Sequence, residues 1–198
     1  MPELPKTPDR SALPPVAFVS TLHDPTGRLL GAVRERGAAL ADYDAVYVTV
    51  TDATHRGLAE ELMARAVHVI GGKNDQVGTA RRRALQGAFD DGHGAALYCD
   101  FDRWLHWVGC APAELAGLPQ RLLGRRRPLW YACLGRSKRA FATHPYVQRV
   151  AEGATNRAIS LALGRRLDAT AGACWVSGEG AAIILAHSQE ATNATDLE

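Results

Sequence analysis

The feature that most limits what this chain can fold into is a series of short β-branched runs separated by stretches with helical spacing. Val16–Leu22 and Ala45–Thr51 are apolar-rich runs without strict alternation, so both read as strands covered on two faces. After the first, Asp24-Pro25 supplies an N-cap and a first-turn proline, and Leu29, Leu30, Val33 and Leu40 form the face of the helix that follows. A helix over about 54–65 then leads to a short strand at 67–70, where Gly71-Gly72 breaks the chain. The next helix covers 76–89 with Asp75 as its N-cap, and Asp91-Gly92 turns into a fourth strand starting at Ala95. Strand–helix alternation with short connections specifies an α/β domain: a mainly parallel central sheet with helices on both faces.

The later residues are less regular. An interrupted helix is expected over 112–123, broken at Pro119, followed by a loop at Arg125-Arg126-Arg127 and a strand within 128–134. A long helix over 145–163 ends at Gly164, and a strand at 171–176 leads into a last helix at 181–187.

With 198 residues, 46% of them hydrophobic and 22% charged, the chain suits one domain with a real core. A net charge of +2 is too near neutral for a nucleic-acid binder, and no apolar run approaches a membrane span. Residues 1–15 hold five prolines and lack the apolar centre of a signal peptide, so they read as a disordered lead-in. The polar tail, 189–198, is expected to fray. Cys99, Cys110, Cys133 and Cys174 are widely spaced, which suggests reduced, buried thiols in a cytoplasmic protein rather than a zinc site or disulfides.

The chemistry gathers where the fourth strand runs into Asp100-Phe101-Asp102. If the strand persists to Asp102, its period of two turns both carboxylates to one face. Ligands of open α/β sheets bind beyond the carboxyl ends of strands, and two close carboxylates repel unless a cation or proton lies between them. A hard ion such as Mg²⁺ or Mn²⁺ suits such oxygens; the plainer alternative is two solvated aspartates opening a loop. Asp52 ends the second strand in the same way, either to meet a base or ribose or simply to cap the next helix. In the helix from Gln76, Val77, Ala80, Ala84, Leu85 and Ala88 form an apolar stripe. Arg81 falls inside that stripe, whereas Arg82 and Arg83 project away as solvated surface. A buried guanidinium needs a partner, so Arg81 is expected to reach an acid or a phosphate at the sheet's carboxyl edge. His23 reads as a loop histidine, and His106, Trp104 and Trp107 as packed or stacked side chains.

These residues assemble into a resemblance. The order is strand, helix, a strand ending at Asp52, then Val77-Gly78-Thr79-Ala80-Arg81-Arg82-Arg83-Ala84-Leu85, closing with Leu97-Tyr98-Cys99-Asp100-Phe101-Asp102. It resembles the nucleotide-sugar-binding half of GT-A glycosyltransferases, especially the large inverting family that includes chitin and cellulose synthases. Arg82 stands where that family has asparagine. The resemblance implies a single GT-A-like (Rossmann-like) domain, with 16–108 as the nucleotide-sugar-binding half and 109–188 as the acceptor side, where 172–185 carries a fainter echo. It implies Asp52 at the nucleoside, Arg81 at the diphosphate or its acidic neighbours, and Mn²⁺ or Mg²⁺ on Asp100 and Asp102. The donor would be a nucleotide-diphosphate sugar and the acceptor a hydroxyl whose base is unassigned; Glu152, Asp168 and Glu179 are the candidates.

Three other readings compete. Haloacid-dehalogenase-type phosphatases place D-x-D on their first strand with Thr or Val two residues later, where Trp104 stands here. A nucleotidyltransferase would want a glycine-rich basic loop after the first strand, which Leu22-His23-Asp24-Pro25 does not supply. A non-catalytic nucleotide- or sugar-binding protein on the same fold accounts for the missing base.

Overall fold

A computed structural model of the chain describes residues 14–192; the rest of the expected lead-in and tail, 1–13 and 193–198, lies outside the described residues. Strands β1 (Val16–Leu22), β2 (Ala45–Thr51), β3 (His68–Gly72), β4 (Ala95–Cys99), β5 (Tyr131–Cys133) and β6 (Ala173–Ser177) form one sheet in the order β3-β2-β1-β4-β6-β5. The pairs β1–β2, β2–β3 and β1–β4 are parallel, while β6 runs antiparallel to β4 and β5. This is an α/β domain with a mainly parallel sheet.

Alternate side chains of the central strands feed two cores, as the two-residue period requires. Phe18, Val48, Leu97 and Cys99 face one way, onto α1 (Leu30–Arg36), α2 (Arg56–Met63) and α4 (Phe101–Cys110), where Val33, Leu58, Leu62 and Trp104 are fully buried. Ala17, Val19, Tyr47, Ala96 and Tyr98 face the other way, onto α3 (Val77–Asp90) and α9 (Gly178–His187). Each large side chain so buried contributes roughly 1.5–3 kcal/mol. The small residues Ala80, Ala84 and Ala88 bring α3 close to the sheet, and Thr49 Oγ1 donates to the Ala80 carbonyl across the contact at 2.8 Å.

Several local expectations are corrected. Strand β4 stops at Cys99, so Asp102 lies in the first turn of α4 and the two-residue period does not relate it to Asp100. Phe101, Trp104 and Leu105 explain the switch: their helical spacing buries all three, and the Asp100 N–H leaves the strand to bind the Gly172 carbonyl at 2.9 Å. Gly71 and Gly72 lie inside β3, and a Cβ on Gly72 would meet Thr49 Cγ2 at 2.6 Å. Asp24 caps the turn before α1 rather than the helix itself, accepting from the Leu29 N–H at 2.8 Å. The break in 112–123 falls at Gly117, between α5 (Pro112–Ala116) and α6 (Leu118–Leu123), because Pro119 sits in a first turn, where no N–H is missed.

Asp75 does not cap α3. The tail does so instead, because the Gly78 N–H donates to the Ala191 carbonyl at 2.8 Å. Arg82 reaches Ser188 Oγ and the Glu190 carbonyl at 2.9 and 2.7 Å, so it is a tether rather than solvated surface, and 189–192 is packed rather than frayed. Cys99 is buried, but Cys110 and Cys133 are exposed, since their strand and helix lie at the margin of the core. A short helix absent from the sequence reading, α7 (Lys138–Ala142), is capped by Ser137 and precedes α8 (Tyr146–Ala162). Among the described residues, no helix is long and apolar enough to cross a membrane.

Candidate functional site

The chain runs β1, β2, β3 outward on one side of the sheet, then returns to place β4 on the other side of β1. The connections after β1 and β4 therefore diverge, and the crevice between them at the carboxyl edge is where such sheets bind ligands. Asp52 and Asp100 both follow parallel strands at that edge, with β1 between them. Asp52 is exposed, and its backbone N–H binds the Gly72 carbonyl at 2.9 Å. His23 is tied through Nδ1 to Thr51 Oγ1 at 2.8 Å, as a loop histidine would be.

Arg81 lies on the sheet-facing side of α3, with its side chain only 13% exposed. Its Nε donates to the Tyr98 hydroxyl at 2.7 Å and its Nη2 to Asp100 Oδ1 at 3.1 Å. Tyr98 itself donates to the same Asp100 oxygen at 2.5 Å. Burial, then the Asp100 charge, pushes the Tyr98 phenol well above its ordinary range, so it remains a proton donor to that carboxylate. The second Asp100 oxygen faces Gly172, whose φ of +63° and lack of a side chain let the backbone approach; a Cβ there would meet Oδ2 at 2.4 Å.

From Asp100 the charges continue in alternation. Arg103 Nε lies 3.8 Å from Asp100 Oδ2, and its Nη2 donates to Glu152 Oε1 at 2.5 Å. Glu152 Oε2 accepts from Arg136 Nη1 at 2.7 Å, and Arg136 grips Asp168 bidentately through Nε and Nη2 at 2.8 Å each. The arginines overcome the cost of burial and hold Glu152 down to about 2, with Asp168 also lowered. Two of the three candidate bases are thus tied into ion pairs that weaken their pull on a proton. The third, Glu179, opens α9 at the opposite edge, because β6 is antiparallel and Ser177 pairs with Ala95 at the start of β4.

Asp102 behaves differently from its neighbours. It is exposed, accepts the Arg103 N–H at 2.8 Å, and is held above the ordinary aspartate range by the surrounding protein and then by Asp100. Desolvation is the larger cause and the Asp100 charge the second, with Arg103 acting against both; a cation beside the two carboxylates would favour the ionised form. Among the described residues, no group of three or more His, Cys, Asp or Glu side chains clusters as a metal site, so any cation held here would complete its shell with oxygens from elsewhere.

Beside this edge opens a cavity of about 470 Å³ between α4 and the segment from Leu134 through α7. Arg103, Trp107, Arg136, Arg139, His106 and His144 line it. Trp104 is core, fully buried against Phe18, so the two tryptophans part company. His106 and His144 face one another with ring centroids 4.5 Å apart, and His106 Nε2 lies 2.8 Å from Thr143 Oγ1. Burial, then His106, Arg136 and Arg103, hold His144 below the ordinary histidine range, hence neutral near pH 7. Arg103 Nη1 is buried and finds no hydrogen-bond partner among the described residues, a donor without its acceptor.

Arg103, Arg136 and His144 carry no signal in the sequence, because their partners and the cavity are set by chain segments far apart. No protein-family profile matches this chain, and no curated protein matches it.

Proposed function

We propose that the chain is a metal-dependent glycosyltransferase of the GT-A type, moving a sugar from a nucleotide-diphosphate sugar to an acceptor hydroxyl. The observation that carries this reading is the placement of Asp100 and Asp102 directly after β4, at the topological switch point of the sheet. Their oxygens suit Mn²⁺ or Mg²⁺, with Asp102 as the main ligand, because Asp100 Oδ1 is already occupied by Arg81 and Tyr98. When bound, such an ion offsets the charge that builds on the departing diphosphate.

The chain's own residues account for the rest. Asp52, exposed on the far side of β1, accepts hydrogen bonds from the nucleoside. Arg81 is a positioning residue that fixes the rotamer of Asp100, directly and through Tyr98. The unpartnered Arg103 Nη1 donates to a substrate oxygen. The acceptor occupies the cavity, where the bond from the sugar's anomeric carbon to the diphosphate breaks, the bond to the acceptor oxygen forms, and the neutral His144 imidazole takes the hydroxyl proton.

Isothermal titration calorimetry with UDP and GDP tests the reading. One of them is expected to bind with Mn²⁺ at least about tenfold more tightly than in EDTA, a difference of roughly 1.4 kcal/mol. Equal affinity in EDTA, or no binding of either, would sink it. Arg81→Ala is expected to weaken that binding by about ten- to a hundredfold, since a charge-assisted hydrogen bond contributes roughly 1.5–3 kcal/mol. Arg82→Ala loosens only 188–190 and should leave affinity near that of the parent chain. Equal effects from the two variants would refute the role given to Arg81.

A further inference from the structure

Helix α8 is amphipathic in the reverse sense. Gln148, Glu152, Asn156 and Ser160, spaced four apart, face the protein. They are satisfied there: Asn156 Nδ2 donates to Asp168 Oδ1 at 2.6 Å, and Ser160 Oγ to the Leu167 carbonyl at 3.1 Å. The opposite face carries Val147, Val150, Ala151, Ala154, Ala158 and Leu161, all exposed among the described residues, with Val147 and Leu161 at 78% and 74%. No residue of α8 is fully buried. The stripe spans about four turns, roughly 20 Å, which is long for apolar surface left to water.

We propose that this face lies on the anionic surface of a lipid bilayer, with the helix axis in the plane of the interface. The charges around it choose the occupant. Residues 146–166 contain four arginines and a single acid, Glu152, and that acid points inward into its ion pairs with Arg103 and Arg136. Arg157 borders the stripe and Arg165 and Arg166 stand just beyond its end, all exposed. A second copy docked on the same face would bring like charges together with no carboxylate to answer them. An anionic headgroup layer answers them, and the short aliphatic side chains enter the acyl boundary beneath it.

Co-sedimentation of the full chain with vesicles, in the absence of nucleotide and metal, tests this independently of sugar transfer. Vesicles of phosphatidylcholine mixed with phosphatidylglycerol should bind it at least about tenfold more strongly than phosphatidylcholine alone, and added salt should erase the preference. Val147→Glu with Leu161→Glu should lose at least about tenfold of that binding without lowering the melting temperature, because both side chains point away from the fold. Should that pair lower the melting temperature, Val147→Ser with Leu161→Ser is the variant to read, with the same expected direction. Arg165→Glu with Arg166→Glu should abolish the phosphatidylglycerol preference. Failure to sediment with anionic vesicles overturns the proposal. So does undiminished binding by the stripe variants, or a dimer in sedimentation velocity that those variants dissociate.

Discussion

Asp102→Ala should reduce sugar transfer by at least about a hundredfold, roughly 2.7 kcal/mol in the barrier, without destabilising the protein. The two halves of this expectation come from the same geometry. Asp102 is exposed, and its single hydrogen bond shown is to the Arg103 N–H at the start of α4, so the fold loses little when its carboxyl is removed. Its pKa is raised by the surrounding protein and by Asp100, which means that the ionised form is less favourable folded than unfolded. A carboxyl with a raised folded pKa contributes its stability below the unfolded value of about 4 and loses it as pH rises through the folded value. At pH 7 that contribution is gone and the ionised Asp102 repels Asp100, so Asp102→Asn should melt at the same or a higher temperature than the parent. At pH 3 that advantage should vanish. Transfer assays beside melting curves at the two pH values check this. A large drop in melting temperature at pH 7 would show Asp102 to be structural. Unchanged transfer would remove it from the site.

Asp100 offers the contrast. Its carboxylate accepts from Tyr98 and Arg81 and faces Arg103, so it joins α3 and β4 to the ion pairs under the cavity. The two aspartates of one short motif therefore have unlike tasks: one is held, the other is left with spare oxygen.

Much of this edge was legible in the sequence, and the reasons it was or was not are physical. Strands β1 and β2 match their expected bounds because β-branched runs between turn residues leave little choice. Arg81 was legible because a charge inside an apolar stripe must find a partner, and Asp100 is that partner. The end of β4 was not, because the helical spacing of Phe101, Trp104 and Leu105 becomes evident only when the segment is read past Asp102, with the core beneath it known. Glu152 and Asp168 were open as bases because their partners are invisible to local reading: Glu152 is bound by Arg103, 49 positions away, and by Arg136. Helix α8 was legible as a helix, but which face is buried was not. Apolar spacing points to the wrong side, since the inner face serves Asp168, the loop at 167–170 and the ion pairs instead of the core.

Those ion pairs lead to the largest stability effect expected. Arg136 is 11% exposed and binds Glu152, Asp168 and Thr170 at once, with its guanidinium 4.8 Å from the Phe141 ring centroid. Arg136→Met leaves the largely buried Asp168 without its cation and facing Glu152, which keeps Arg103, a loss of about 3–5 kcal/mol. Among the described residues Arg103 does not take its place, because it already serves the other oxygen of Glu152. The pH dependence carries the same signature. Glu152 is held down to about 2 in the folded chain, so its contribution is complete above the unfolded value near 4.5 and is lost as pH falls through about 2. The lowered Asp168 acts in the same direction. Denaturant titrations should therefore show the parent losing stability between pH 4.5 and 2, with Arg136→Met already weak at pH 7 and its curve shallower over that window, because Arg103 and Gln148 still hold Glu152 down while Asp168 has lost its main partner. Arg136→Lys restores a charge but not the planar fork that grips Asp168, and should recover only part of the loss. Parallel pH curves for the parent and Arg136→Met would show that Arg136 does not hold these carboxylates.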